Sequence, residues 1–181
     1  MVIPGIQLDW LIPRYERTVV LKSGASAVVR RLASGEVAAV QQVFDGMSER
    51  SRYQRFVGAK PVLSPHDLEI LTTIDHVNHE AFIAVDPQTG RAVGEAHLVR
   101  DEKNREVAEV AFAVADEWQG RRLGTRLAST LAGRARQLGI NRLRATMRAD
   151  NTRSLALFQR MGHLAERRFE GGALQLEVVL D

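Results

Sequence analysis

The chain has no cysteine, which excludes disulfides and cysteine-ligated metal sites and suits a reducing compartment. No apolar run approaches the roughly 18 residues of a membrane span. The opening MVIPGIQLDWLIPR lacks the basic segment followed by an apolar one that marks a signal peptide. These absences predict a cytoplasmic protein with no membrane partner. Aromatic residues are sparse at 6%, do not interleave with the basic positions, and accompany no nucleic-acid-binding motif, so nucleic acid is not expected as a partner. Lysine is scarce as well, three against 22 arginines, so any cationic surface is built from guanidinium groups.

What is present suits one globular domain: 181 residues, 45% apolar and 26% charged, enough to bury a core. The net charge of +3 hides an asymmetry. Trp118 to Arg168 holds 12 arginines against Asp150 and Glu166, or +10, whereas the remainder has 13 bases against 20 acids, or −7. Such a division suggests a polyanionic ligand at one site, with solvated helix faces as the plain alternative.

Residues 1–17 show little periodicity and are expected to form an arm or irregular lead-in, with 18–181 a single domain. TVVLKSGASAVVRRL reads as a hairpin around Ser23-Gly24. From Ser34, Val37, Val40, Val43, Phe44 and Met47 fall at helical spacing, and a second short helix covers Ser48 to Phe56. A third begins at SPHDLEIL, with Ser64 as N-cap and Pro65 at the first helical position. Strands at 81–85, 92–99 and 106–114 then form an antiparallel meander. Leu123, Leu127, Leu131, Ala135 and Leu138 make the apolar stripe of a long helix closed by Gly139. RLRATM at 142–147 is a strand, Asp150 or Asn151 caps a helix bearing Leu155, Phe158 and Met161, and two last strands flank Gly171-Gly172. The sum is an α/β (α+β) domain with a mixed sheet.

WQGRRLGTRL, from Trp118 to Leu127, opens directly onto the long helix. The first amides of a helix lack intrahelical partners and carry partial positive charge, and glycines let the backbone approach a bulky anion. With Arg121 and Arg122 adding cations, the stretch is suited to phosphate. It is neither a Walker loop, since no Gly-Lys-Ser/Thr follows, nor a dinucleotide fingerprint, which needs three glycines in a parallel βαβ unit.

QGRRLG resembles the acetyl-CoA pyrophosphate loop of the GNAT acyltransferase superfamily, and NTRSLALFQRMGH resembles the superfamily's next helix. MSERSRYQRF, LTTIDHVNHEAFIAVD and AEVAFAVADEWQG resemble more narrowly the GNAT domain of bacterial protein-lysine acetyltransferases. The likeness runs from about Val19 to the C-terminus. It implies a GNAT fold over 18–181, with a mixed, mostly antiparallel central sheet flanked by helices. It also implies an N-acetyltransferase that uses acetyl-CoA as cosubstrate and no metal. The chain amides near Phe112, Ala113 and Val114 would meet the pantetheine arm. Gln119, Gly120, Arg121, Arg122, Gly124 and Thr125 would hold the pyrophosphate, and Asn151 and Ser154 would contact the coenzyme, with a plain N-cap as the alternative for Asn151. Two positions depart from the pattern. Arg122 replaces the loop's inner glycine and is expected in a conformation open to a side chain, and Phe158 stands where many members carry a tyrosine acid.

In EVAEVAFAV, Val107, Glu109, Ala111 and Ala113 share one strand face. Glu109 is the lone carboxylate on a strand that reads as apolar on both sides, and an uncompensated buried charge is costly. It either pairs with an arginine, lies at a wet sheet edge, or serves as a general base whose proton affinity apolar surroundings raise. The resemblance implies the last: direct attack on acetyl-CoA by an amine in a ternary complex, a protein lysine being the favoured acceptor. A small amine acceptor and a catalytically silent acyl-CoA binder remain as alternatives, and a homodimer is one open assembly. For His76 and His79 in DHVNHE, a metal site, an acceptor-entrance role and a plain surface role all stay open. His66, His97 and His163 offer no specific reading, and the run SERSRYQRF either orients acceptor or coenzyme or, more simply, supplies Tyr53 and Phe56 as core anchors.

Overall fold

The structure, a computed structural model, describes residues 15–180. Of the lead-in expected at 1–17, residues 1–14 lie outside the described residues, while Glu16 and Arg17 belong to the first strand. The hairpin is β1 (Glu16–Val20) and β2 (Ser26–Arg31), turning at Gly24 with φ 84°. Three helices follow: α1 (Val37–Asp45), α2 (Glu49–Phe56) and α3 (Pro65–Thr72). The start of α3 is fixed by a reciprocal capping box. Ser64 Oγ accepts from the Asp67 amide at 3.2 Å, and the Asp67 carboxylate accepts from the Ser64 amide at 2.7 Å.

The meander is β3 (His79–Val85), β4 (Ala92–Arg100) and β5 (Val107–Val114). Next come α4 (Leu123–Gln137), β6 (Arg142–Met147), α5 (Thr152–Gln159), β7 (His163–Glu170) and β8 (Ala173–Val179). Gly139, at φ 73°, lies one residue past the C-cap Leu138, where the left-handed turn ends α4. The eight strands run in the order β1-β2-β3-β4-β5-β6-β8-β7, and among the described pairs only β5–β6 is parallel. The expected mixed, mostly antiparallel sheet is therefore observed.

Two cores lie on opposite faces of the sheet. The stripe of α4, Leu123, Leu127, Leu131 and Ala135, packs with Phe158 of α5 over Ala96, Leu98, Val110 and Leu143. On the other face Val40, Val43 and Phe44 of α1 pack with Leu63, Ile74, Ala81, Ile83 and Ala113. Phe56 packs against this second core. Tyr53, expected as a core anchor, is instead 42% exposed, with Arg148 stacked over its ring at 4.8 Å. The α2 helix is too short and too charged to bury both of its rings.

Two glycines give the same substitution opposite signs. A Cβ on Gly162, between α5 and β7, would fall 2.1 Å from the Val179 carbonyl oxygen, backbone that cannot yield, whereas one on Gly133 within α4 would meet nothing within 4 Å. Gly162→Ala should lower the unfolding free energy by about 3 kcal/mol or more, and Gly133→Ala should raise it by about 0.5–1 kcal/mol. Urea unfolding of the two variants checks both signs.

Candidate active site

Pairing between β5 and β6 covers Val107, Ala108 and Glu109 against Arg142, Leu143 and Arg144. Beyond that register the two strands part. β5 stays paired with β4 through Val114, and β6 stays paired with β8 through Met147. Those groups of 110–114 that point away from β4 have no strand partner. The opening between them forms part of a cavity of about 700 Å³, walled by Glu109–Val114, by Ala145, Thr146 and Met147, and by residues of α2, α4 and α5.

The head of α4 closes one end. Its first intrahelical bond runs from the Arg126 amide to the Arg122 carbonyl at 3.1 Å, so the amides of Leu123, Gly124 and Thr125 precede the ladder. Gly120 at φ 72° turns the chain toward this end. Arg122 departs from expectation: rather than adopting a conformation open to any side chain, it has φ 70°, left-handed, as the helix N-cap. The turn demands the geometry that glycine takes freely, which for a residue with a Cβ costs about 1–2 kcal/mol.

Every expected site residue except Arg121 lines the cavity: Glu109, Phe112, Ala113, Val114, Gln119, Gly120, Arg122, Gly124, Thr125, Asn151 and Ser154. Arg121 points elsewhere. It borders a separate hollow with Gly24, Asp86 and Gln88, and its guanidinium lies 5.4 Å from the Trp118 ring. Gln119 is a structural brace. Its Nε2 is 3.0 Å from the Val114 carbonyl and 3.2 Å from Ser51 Oγ, and its Oε1 accepts from Arg153 at 3.2 Å. Asn151 performs the cap named as its alternative, its Oδ1 accepting from the Ser154 amide at 3.1 Å. Phe158 is 2% exposed and packs in the α4–α5 core, although its edge reaches the cavity.

Glu109 overturns the expectation of dry burial, because its side is exposed. The reason lies in its neighbours. It shares register with Arg144, and on that face β6 and β8 carry Arg142, Arg144 and Glu177, a charged ladder with Arg144 Nε 2.8 Å and Arg142 Nη1 2.7 Å from the Glu177 carboxylate. Nor is this the wet sheet edge named as an alternative: β5 is an interior strand, and it is the sheet face beside Glu109 that is exposed and charged.

His76 and His79 are not surface residues. His76 is 7% exposed, and its Nδ1 lies 2.6 Å from Glu80 Oε1. Arg134 Nε donates to the other Glu80 oxygen at 2.7 Å, and Arg31 Nε lies 3.5 Å from it. Burial alone would push the Glu80 carboxyl up, but these partners outweigh it and hold it below the ordinary value. His79 Nε2 lies 3.1 Å from Nδ1 of the buried His97. Among the described residues no group of three or more His, Asp or Glu is placed to hold a metal. Sequence reading missed Arg55, whose side chain is 12% exposed and lines the cavity beside Glu109. The i, i+4 spacing of Ser51 and Arg55 was the available signal.

The family model described as Acetyltransferase (GNAT) family matches residues 48–163, from the cap of α2 to the first residue of β7. Acetyltransferase Pat of Mycolicibacterium smegmatis is 29% identical over 145 residues, which are 80% of this chain and 43% of that protein. The chain thus spans less than half the length of that curated relative. The crystal structure of the GNAT domain of S. lividans PAT matches with a TM-score of 0.82 at 29% identity, over 91% of this chain and 97% of that one. A GNAT superfamily phosphinothricin acetyltransferase (Pat) from Sinorhizobium meliloti, solved in complex with AcCoA, has a TM-score of 0.68 over 85% of this chain and 88% of that one. At 20% identity that likeness is one of fold.

The His79 contact has a measurable consequence. Burial, then the charge of His97, lowers the His79 pKa from 6.5 to about 4. The unfolded chain binds this proton near 6.5 and the folded chain only near 4, so stability should fall as the pH drops through that window. Urea unfolding across pH 7 to 4.5 should show a smaller loss in His79→Gln than in the unsubstituted chain; an unchanged slope would assign the loss to other groups.

Proposed function

The chain belongs to the acetyltransferase (GNAT) family, and from that premise we propose a protein-lysine N-acetyltransferase in which Glu109 takes the proton of the incoming amine. Acetyl-CoA is the acetyl donor of the family, and when bound it supplies an acyl group on a thioester. The chain's own features fit that molecule. Three amides and a left-handed arginine at the head of α4 suit a diphosphate, and the parting of β5 from β6 leaves a narrow slot for an extended arm. We assign the arm to the chain amides of Phe112, Ala113 and Val114, and the diphosphate to Gly120, Arg122, Gly124 and Thr125. Gln119 braces the turn, Asn151 and Ser154 border it from α5, and Arg121 takes no direct part. The elements from β1 to β8 then act as one catalytic domain.

A lysine amine has a pKa near 10.4, so about one in a thousand is neutral at physiological pH, a deficit of roughly 4 kcal/mol. Removing the ammonium proton is therefore the step for which the protein must provide. The observation that carries the reading is the position of Glu109. It occupies the last paired register before the strands part and lines the same cavity as the α4 amides. Its exposure lets it receive a proton from the amine, directly or through one water, and hand it to solvent. Chain amides beside it, fixed by the sheet, can stabilise charge developing on a carbonyl oxygen without reorganising. The buried Phe158 carries no hydroxyl, so no phenol from that position protonates the departing thiolate. The relatedness to Acetyltransferase Pat supports lysine as the acceptor.

Glu109→Gln should lower kcat/KM about a hundredfold or more at neutral pH while leaving acetyl-CoA affinity by calorimetry within about twofold; unchanged turnover would reject the base. Labelled acetyl-CoA offered to a mixture of proteins and small amines should label protein lysines. Labelling confined to amino acids, amino sugars or polyamines would transfer the same chemistry to a small acceptor, and coenzyme binding with no thiol release on any acceptor would remove the enzymatic reading.

A further inference from the structure

Behind Glu109 lies a buried polar row that the acetyl transfer described above does not use. Cross-strand partners share a face, so His79 on β3, Glu95 and His97 on β4 and Glu109 on β5 all lie on the side of α1–α3. Glu95 and His97 are each 3% exposed. The row is ordered from one end. The Thr73 carbonyl, 3.0 Å from His79 Nδ1, can only accept, so that nitrogen bears the hydrogen. The neutral His79 ring then accepts at Nε2 from His97 Nδ1, which leaves His97 Nε2 facing Glu95 Oε2 at 3.4 Å. Burial would raise the Glu95 carboxyl, but the His97 ring and then the Arg55 charge outweigh it and hold it below the ordinary range.

The other Glu95 oxygen lies 3.8 Å from Arg55 Nη2. This is a loose hold, since Arg55 Nε makes no hydrogen bond to any described residue. Burial acts against the Arg55 charge, and first Glu95 and then Glu109 act in its favour. Arg55 thus pairs with Glu95 and is also drawn by Glu109, which lies on the same sheet face and lines the same cavity as Arg55. A buried guanidinium deprived of one partner turns to the other, because an unpaired buried charge is costly.

We propose that Glu95 is a positioning residue for the proton transfer at Glu109: by holding Arg55 to itself, it keeps that guanidinium from closing onto the base. The inference rests on Glu109 being the base. The charged groups facing Glu109 are Arg55 from α2 and, from β6, Arg144, which is tied to Glu177 at 2.8 Å and Asp101 at 3.4 Å. β4 presents Val99 opposite it. Those facing Glu95 are His97 and Arg55. Arg55 is therefore the cation near Glu109 whose placement depends on Glu95.

A cation beside a carboxylate favours its ionised form and, once hydrogen-bonded to it, blocks proton acceptance. Profiles of kcat/KM against pH at saturating acetyl-CoA test the arrangement. Arg55→Gln should move the low-pH limb up by about half to one pH unit. Glu95→Gln should move it down by a similar amount and lower the neutral-pH rate about tenfold. The double variant, with no guanidinium left to misplace, should recover to the Arg55→Gln level. A double variant as slow as Glu95→Gln, or singles that shift the limb the same way, would overturn the inference. If Glu95→Gln does not fold, as judged by thermal melting, an unmoved limb in Arg55→Gln overturns it alone. A low-pH limb that survives in Glu109→Gln would instead remove the base and this inference with it, whereas a limb that belongs to Glu109 but ignores Arg55 and Glu95 would remove only this inference.

Discussion

Two parallel strands that stop pairing halfway leave backbone donors and acceptors that must find other partners, and the rest of the site follows from where β5 and β6 stop. Their shared register ends at Glu109 and Arg144. β5 cannot drift into the gap, because it stays bonded to β4 up to Gly94 and Val114. β6 cannot close the gap either, because β8 holds it through Met147. The slot is thus propped from both sides by complete ladders. Directly after β5 the chain is tied back to the α1–α3 layer, the Asp116 amide donating to the Gly46 carbonyl at 2.8 Å, and then turns through Gly120 into α4. The same strand therefore fixes one wall of the slot, the carboxylate at its start and the helix head at its end.

Two buried ionic clusters in this fold differ in how well they are satisfied, and the difference separates scaffold from site. Around Glu80, fully buried at 0% exposure, the closest contacts are short, 2.6 Å to His76, 2.7 Å to Arg134 and 3.0 Å from Arg134 Nη2 to the His76 carbonyl, with Arg31 Nε farther at 3.5 Å. That cluster ties the chain before β3 to α4, and Glu80, His76 and Arg134 do not line the cavity. Around Glu95 the contacts are 3.4 and 3.8 Å, and Glu95 Oε2, His97 Nε2 and Arg55 Nε lack hydrogen bonds among the described residues. Half-satisfied buried networks are costly, and this one lies on the same sheet face as Glu109 and reaches the cavity through Arg55. Together with the left-handed Arg122 at the opposite end, it places unfavourable local terms at two parts of one cavity, where such terms commonly serve function.

The elements were legible because their signals are local. Ser64, Pro65 and Asp67 specify the start of α3 within four residues, and the leucines of α4 specify a face without reference to anything else. The turn before α4 was legible for the same reason, since it depends on a glycine and a helix head that are adjacent in sequence. What failed depended on residues far apart. Period-two reading placed Glu109 correctly on its strand but could not see that the face beside it is floored by Arg142, Arg144 and Glu177, because β8 lies some 70 residues downstream in the order of the sheet. His97 was unremarkable until β3 brought His79 beside it, and Arg55 until α2 was laid over β5. A left-handed Arg122 contradicts residue preference, so preference alone steered away from it.

The charge asymmetry of the sequence also narrows once the arginines are placed. Arg134 serves Glu80, Arg142 and Arg144 serve Glu177, Arg148 holds Asp150 at 3.0 Å, and Arg168 lies 2.6 Å from Glu166. These are structural or surface pairs, and a stretch of +10 does not by itself describe a ligand site. The arginines of that stretch that line the cavity are Arg122, Arg153 and Arg160, all at the α4 and α5 end. The carboxylate Glu109 lies at the other end, where the cation is Arg55 from outside the basic stretch. One cavity thus runs from a cationic helix head to a carboxylate, a gradient suited to a ligand whose anionic portion enters at one end while an ammonium approaches from the other. On the function proposed above, arginines so placed would attract the donor without surrounding the carboxylate assigned to the acceptor's proton, and the parted strands would keep the two apart.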